Sequence, residues 1–404
     1  MKTSYFHLPR SVYLLSINQI IGMSAVTMVF LTAGLIGAEI TPTPSLATLP
    51  ATMLISGVAV ATIPAVLLMK KIGRKKGFML SAILSLLSLF LATYALTKND
   101  FYLFCFAVFL LGTNGAFINQ YRFAALEAVS KNAISTAVSF ILFAGIVAGI
   151  TGPEIVKHTQ TLFSLPHYAG AFISYTVLFG ISAITFAFYK DQPIHEEKNL
   201  GKERPFRQIA RQPGYILAVL AAAIGYGIMI CIMTATPLFL HKMSHFSLDD
   251  TAFILQSHLI AMYIPSLFTG TLITRFGAPK IISAGLTCFM VTVLLATSST
   301  SMVAYWGALV LLGIGWNFLF ISGTVLLPQT YTHSERFKAQ GVNDFVVVLS
   351  QMTGSFMAGT LLFNSGWIKL NLYIIPIILF TWVMFIVGRK YITTKPALEK
   401  ATSR

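Results

Sequence analysis

Stretches of about twenty apolar residues, parted by short polar breaks, recur from one end of this 404-residue chain to the other. They lie at about 11–38, 51–69, 77–96, 101–122, 134–156 and 168–189, and again at 213–239, 251–273, 280–299, 302–328, 341–364 and 367–388. Lipid offers no partner to a backbone N–H or C=O, so a crossing segment must satisfy its own; about twenty residues of α-helix do so across the hydrocarbon. Charged residues make up 10% of the chain, against about 25% in a soluble domain. The pattern predicts an all-α membrane protein with twelve transmembrane helices and excludes a soluble enzyme.

One stretch breaks the rhythm. Residues 190–212, KDQPIHEEKNLGKERPFRQIARQ, form the only long run that lipid would reject. The expected domains are therefore a six-helix bundle at 1–189, a linker at 190–212 and a second six-helix bundle at 213–404. Within the linker, Phe206, Ile209 and Ala210 share one side of a helix, and Arg204, Arg207 and Arg211 the other. This predicts an amphipathic helix on an anionic membrane surface, with a partner-binding helix as the alternative.

The formal charge of +15 would suggest nucleic acid in a soluble protein, but its placement tells otherwise. With both termini cytoplasmic, 24 of the 28 Lys and Arg fall on the inner side, and only Lys98, Lys157, Lys242 and Lys369 do not. That asymmetry sets orientation, and no nucleic-acid partner is expected. The first apolar stretch is longer than a secretory signal and reads as a retained helix. Cys105, Cys231 and Cys288 lie in apolar spans without pairing or metal spacing. Neither metal nor cofactor is expected, and there is no Gly-rich Lys-Ser/Thr loop for a nucleotide.

The halves also repeat. MKKIGRKKG at 69–77 is echoed by GTLITRFGAPK at 270–280, which places Gly73 and Gly277 in the same register. Leu110-Leu111-Gly112 returns as Leu311-Leu312-Gly313. A six-helix unit used twice in one orientation builds a two-bundle transporter with its site near mid-membrane.

These residues resemble the Major Facilitator Superfamily, whose loop signature runs Gly-x-Leu-Ala-Asp-Arg-x-Gly-Arg-Lys. The first copy keeps Leu68, Lys71, Gly73, Arg74 and Lys75, with Val66 and Lys70 at the glycine and aspartate positions. The second keeps Gly270, Leu272, Arg275 and Gly277, with Thr274 for the aspartate. YRFAALE at 121–127, MTATPL at 233–238 and the stretches 258–277 and 315–345 are similar to a bacterial subgroup. The resemblance implies the MFS fold and a secondary active transporter, monomeric, in the bacterial cytoplasmic membrane, among whose partners are a small-molecule substrate, membrane lipid and protons. That signature aspartate helps latch the cytoplasmic side in the family, so a different latch is expected here.

Spans one, four, seven and ten line the cavity in the family, and they place Asn18, Gln19, Asn114, Tyr226, Trp316 and Asn317 there. Amides and aromatic faces without a mid-membrane charge suit an aromatic, hydrogen-bonding organic solute better than a small anion; helix packing is the plain alternative for each. Ionisable groups inside a membrane are costly and suggest coupling or gating. His258, with Gln256 nearby, titrates in the useful range, unless it only braces a backbone carbonyl. Asp344 is placed to gate, or is a solvated acid at a helix start. Arg122 and Glu127 suggest an anion or proton relay, or an intracellular salt-bridge network. Glu154 suggests a proton acceptor, or an ion pair with Lys157. Gly145, Gly149 and Gly152-Pro153 resemble part of the antiporter motif of span five, and small residues also let helices approach. Efflux of drugs or metabolites and uptake of a nutrient or siderophore both stay open. A non-transporting membrane sensor is the reading from another class, and short loops speak against it.

Overall fold

The computed structural model describes residues 8–129, 134–166, 168–190 and 204–388, and every regular element among them is helical. The chain runs through α1 (Arg10–Ile40), α2 (Leu49–Ile72), α3 (Arg74–Thr97), α4 (Phe101–Glu127), α5 (Ile134–Thr159) and α6 (Ala169–Ala187). After the short α7 (Phe206–Ala210) come α8 (Pro213–Pro237), α9 (Leu248–Tyr263), α10 (Ser266–Phe276), α11 (Ala278–Ser298), α12 (Met302–Leu326), α13 (Arg336–Leu372) and α14 (Ile375–Gly388). Among the described residues nine stretches are long and apolar enough to cross a membrane, or ten if α9 and α10, bent by 43° at their break, form one.

Each departure from a straight span has a local cause. Pro265 cannot donate a backbone hydrogen bond and stands where α9 gives way to α10. Pro237 ends α8, and a π-turn at Leu238–Met243 continues it. Gly366, at φ +79°, interrupts α13 in a region that favours glycine. The apolar stretch 338–388, at 51 residues, is long enough for two spans.

Packing divides the chain into two units, residues 1–196 with 240–252, and residues 197–239 with 253–404. Residues 240–252 join the first unit although they follow the polar stretch in sequence. Lys242 reaches Glu39, and Lys157 reaches Asp249 at 3.2 Å as well as Glu154 at 3.2 Å, so charged side chains tie that segment into the first unit.

The repeat is visible in the backbone. Gly73 closes α2 at φ +86°, ψ 158°, and Gly277 closes α10 at φ +85°, ψ 146°. Both permit a helix to end and the next to begin without a connecting loop. Gly112 lets α4 press on α2, since an added Cβ would stand 2.0 Å from Leu54 O; Gly313 lets α12 press on α9, where a Cβ would stand 2.7 Å from His258 O. In α5, a Cβ on Gly152 would collide with Thr27 of α1.

Candidate functional site

Three of the amides are engaged inside the helix packing. Asn18, 1% exposed, donates from Nδ2 to Leu14 O and Thr185 Oγ1, and its Oδ1 accepts from Ser182 at 2.5 Å, which fastens α1 to α6. Asn114 Oδ1 accepts from the Ser81 hydroxyl and joins α4 to α3. Asn317 donates from Nδ2 to Met262 O at 2.8 Å and to Ser266 Oγ at 2.5 Å, and lies 2.6 Å from Thr269 Oγ1. Those partners flank the break between α9 and α10, so the side chain supplies hydrogen bonds where the helical ladder is interrupted. Gln19 differs: its Oε1 is enclosed with no partner among the described residues.

In the second unit the structure brings Tyr226 of α8 and Trp316 of α12 together and adds Phe320. Tyr226 meets Trp316 and Phe320 edge-on, each at 5.0 Å, while Trp316 and Phe320 stack at 5.1 Å with planes 11° apart. Such geometries suit ring quadrupoles. Trp316 is 4% exposed, yet its Nε1 has no acceptor among the described residues. A buried indole N–H usually finds one. The pairing of Phe320 with Trp316 was legible as i and i+4 on one helix face, but the sequence reading passed over it.

His258 is fully enclosed on α9. Its Nδ1 lies 2.7 Å from Leu309 O on α12. A carbonyl can only accept, so Nδ1 carries the proton and Nε2 presents a lone pair, with no partner among the described residues. The imidazole is thus a brace on one side and an enclosed, unmet lone pair on the other. Gln256, two residues earlier, is half-buried on α9.

The other charged candidates sit at helix ends. Arg122 is exposed, its guanidinium over the Phe123 ring at 4.8 Å. Glu127 ends α4, and its side chain lies outside the described residues. Glu154 accepts from Lys157, with His158 at 3.6 Å. Asp344 is exposed on α13 and accepts from Asn343 at 3.1 Å. In the loop signature, buried Arg74 donates to Gln120 O of α4, while Arg275 is exposed over Phe276. A Cβ added to Gly270 would meet nothing within 4 Å.

One ion pair escaped the sequence reading. Glu335, with 1% of its side chain exposed, accepts from Arg204 Nε and Nη2, each at 2.7 Å, from Arg204 N at 2.9 Å and from Thr332 N at 2.8 Å. The guanidinium beside it holds its carboxyl far below the usual range, and the carboxylate in turn raises the Arg204 pKa. Gln212 adds a bond to Thr330 O. The apolar side of α7 is covered by protein: Ile209 is fully buried and Phe206 lies edge-on to Tyr215. The amphipathic pattern at 204–211 thus records docking on the second unit, where a face toward lipid was expected.

A helix pair closed by glycine and built twice is the construction of a duplicated-bundle membrane transporter. Residues 15–264 and 245–403 match the pattern of the Major Facilitator Superfamily, and the chain belongs to that family. It is a transporter and not an enzyme. It is 35% identical over 384 residues to the riboflavin transporter RfnT of Brucella anthropi, covering 94% of this chain and 96% of the relative. The MFS-type transporter YdeG of Bacillus subtilis is 26% identical over 398 residues, with 94% and 92% covered. Among solved structures, the nucleoside transporter NupG superposes with a TM-score of 0.68 at 15% identity, covering 96% of this chain and all of the other. A bacterial homolog of the human lysosomal transporter Spinster gives 0.71 at 10%, covering 95% and 97%. Both likenesses concern the fold.

Proposed function

We propose that this protein carries a planar, hydrogen-bonding heteroaromatic solute of the flavin type across the bacterial cytoplasmic membrane, by alternating access of a twelve-span monomer whose termini are cytoplasmic. The observation that carries the reading is likeness to a riboflavin transporter along nearly the whole chain. The Tyr226, Trp316 and Phe320 cluster supports it, since aromatic faces and an unused indole N–H are what a ring edged with carbonyls and nitrogens would engage. Asn18, Asn114 and Asn317 then serve as braces and Gln19 stays a ligand candidate. We assign the coupling proton to His258 Nε2, because that nitrogen presents a lone pair inside the helix packing with no partner among the described residues.

The test is uptake of riboflavin by vesicles bearing the full chain. Saturable accumulation, cut off by a protonophore and competed by lumiflavin, is expected. Vesicles that exchange nucleosides or drugs yet ignore riboflavin would overturn the cargo assignment.

A further inference from the structure

A groove on the first unit is made by three helices. α2 and α3 each pack closely on α4 but only lightly on one another, which leaves a space of about 510 Å³ between them. Thr113 and Phe117 of α4 form its floor, Ala61 and Leu68 of α2 one wall, and Leu80 and Leu84 of α3 the other. Its hydroxyls are already engaged: Ser81 with Asn114, and Thr113 with Leu110 O at 2.7 Å. Apart from Lys71 at its end, such a groove offers no partner to a hydrogen-bonding solute, whereas hydrocarbon fits it. Side chains of the same two helices, Val60, Ile63, Leu67 and Leu87, are more than half exposed, as on a surface that lipid covers.

Among the described residues the only charged group lining the groove is Lys71, in the last turn of α2. It has no acidic partner among the described residues. Lys70, Arg74, Lys75 and Lys76 surround it in sequence, and no Asp or Glu occurs between Glu39 and Asp100. An apolar slot thus ends at Lys71, with four further cations beside it in sequence.

The geometry points to a site for an anionic glycerophospholipid, with an acyl chain between α2 and α3 and its phosphate on Lys71. Basic pockets between membrane helices recognise anionic head groups in this way. In the orientation proposed above, the lipid comes from the cytoplasmic leaflet. The inference is independent of which solute is carried.

Purified full-length protein in detergent is titrated with phosphatidylglycerol, with phosphatidylcholine of the same acyl chains, and with glycerol 3-phosphate, reading native mass spectra and thermal unfolding. Phosphatidylglycerol is expected to bind and to raise the unfolding temperature; the other two are expected to do neither. Lys71→Gln weakens phosphatidylglycerol binding about fivefold, and Ala61→Phe, which fills the slot, removes it. Because Ala61→Phe could itself impair folding, Lys71→Gln carries the test alone if needed. Equal binding of phosphatidylglycerol by wild type and Lys71→Gln sinks the proposal. So does equal binding of phosphatidylcholine, or displacement of the lipid by riboflavin, which would place the groove on the solute path.

Discussion

An indole N–H and an imidazole nitrogen enclosed without partners cost more than they return unless something else meets them, since each buried polar group left unpaired is worth about 1–3 kcal/mol. Trp316 and His258 carry that cost in the second unit. Trp316→Phe keeps a ring against Tyr226 and Phe320 but removes the donor. Its KM for riboflavin should rise about five- to tenfold, one hydrogen bond's worth, with thermal stability unchanged; an unaltered KM would remove the indole from the site. His258→Gln removes the imidazole and with it the Nε2 lone pair. Counterflow should persist while a pH gradient no longer drives accumulation, and intact pH-driven uptake would move the proton elsewhere. Asn317→Ala should behave in the opposite way, losing about 2 kcal/mol of stability because it unties the α9–α10 break. Sequence alone ranked Asn18, Asn114, Asn317 and Trp316 together. It shows which side chains can donate or accept, but not which have found partners on a helix 50 or 160 residues away.

Helices were more legible than side chains, because a 20-residue apolar stretch carries its own explanation. The stretch 77–96 lies within α3 and 302–328 begins with α12. What the pattern could not show was contact at close range. Gly112 and Gly313 read as a weak echo, yet each is where one helix meets another's backbone. Gly112→Ala and Gly313→Ala should each lose about 1–3 kcal/mol through overpacking, whereas Gly270→Ala, with open space before it, should be neutral or gain up to about 1 kcal/mol from helix propensity. Thermal unfolding of the three purified variants decides this. The docking of α7 was hidden for a similar reason: an amphipathic pattern states that one face is covered, but not by what. Arg204→Ala leaves a buried carboxylate with backbone donors only, and should cost about 2 kcal/mol, less than a fully buried pair because Arg204 is 42% exposed. The pH dependence follows from the lowered pKa of Glu335. The ionised form is favoured in the folded state, so its contribution is whole above the ordinary carboxylate value of 4.5 and declines as pH falls below it. Wild type should therefore lose part of its advantage over Glu335→Gln on acidification from pH 6 to 3.

For the molecule as a whole, charge placement and the doubled glycine motif bear on the same question by independent routes. The motif relates residues 69–77 to 270–280 by backbone conformation, and the proposed parallel repeat would put both copies on one side of the membrane. In the proposed orientation the distribution of Lys and Arg assigns that side to the cytoplasm. The two agree only if an even number of spans separates the copies, six in the proposed arrangement, so an error of one in the count would set them against each other. Single cysteines test this directly in a background with Cys105, Cys231 and Cys288 replaced by Ala. A membrane-impermeant maleimide added to whole cells should label Lys98→Cys and Lys369→Cys, and should reach Lys75→Cys, Arg207→Cys and Lys280→Cys only after the membrane is opened. Labelling of Lys75→Cys and Lys280→Cys from opposite faces would break the parallel repeat. Labelling of both from outside would keep the repeat and invert the orientation, which would also move the Lys71 groove to the outer leaflet.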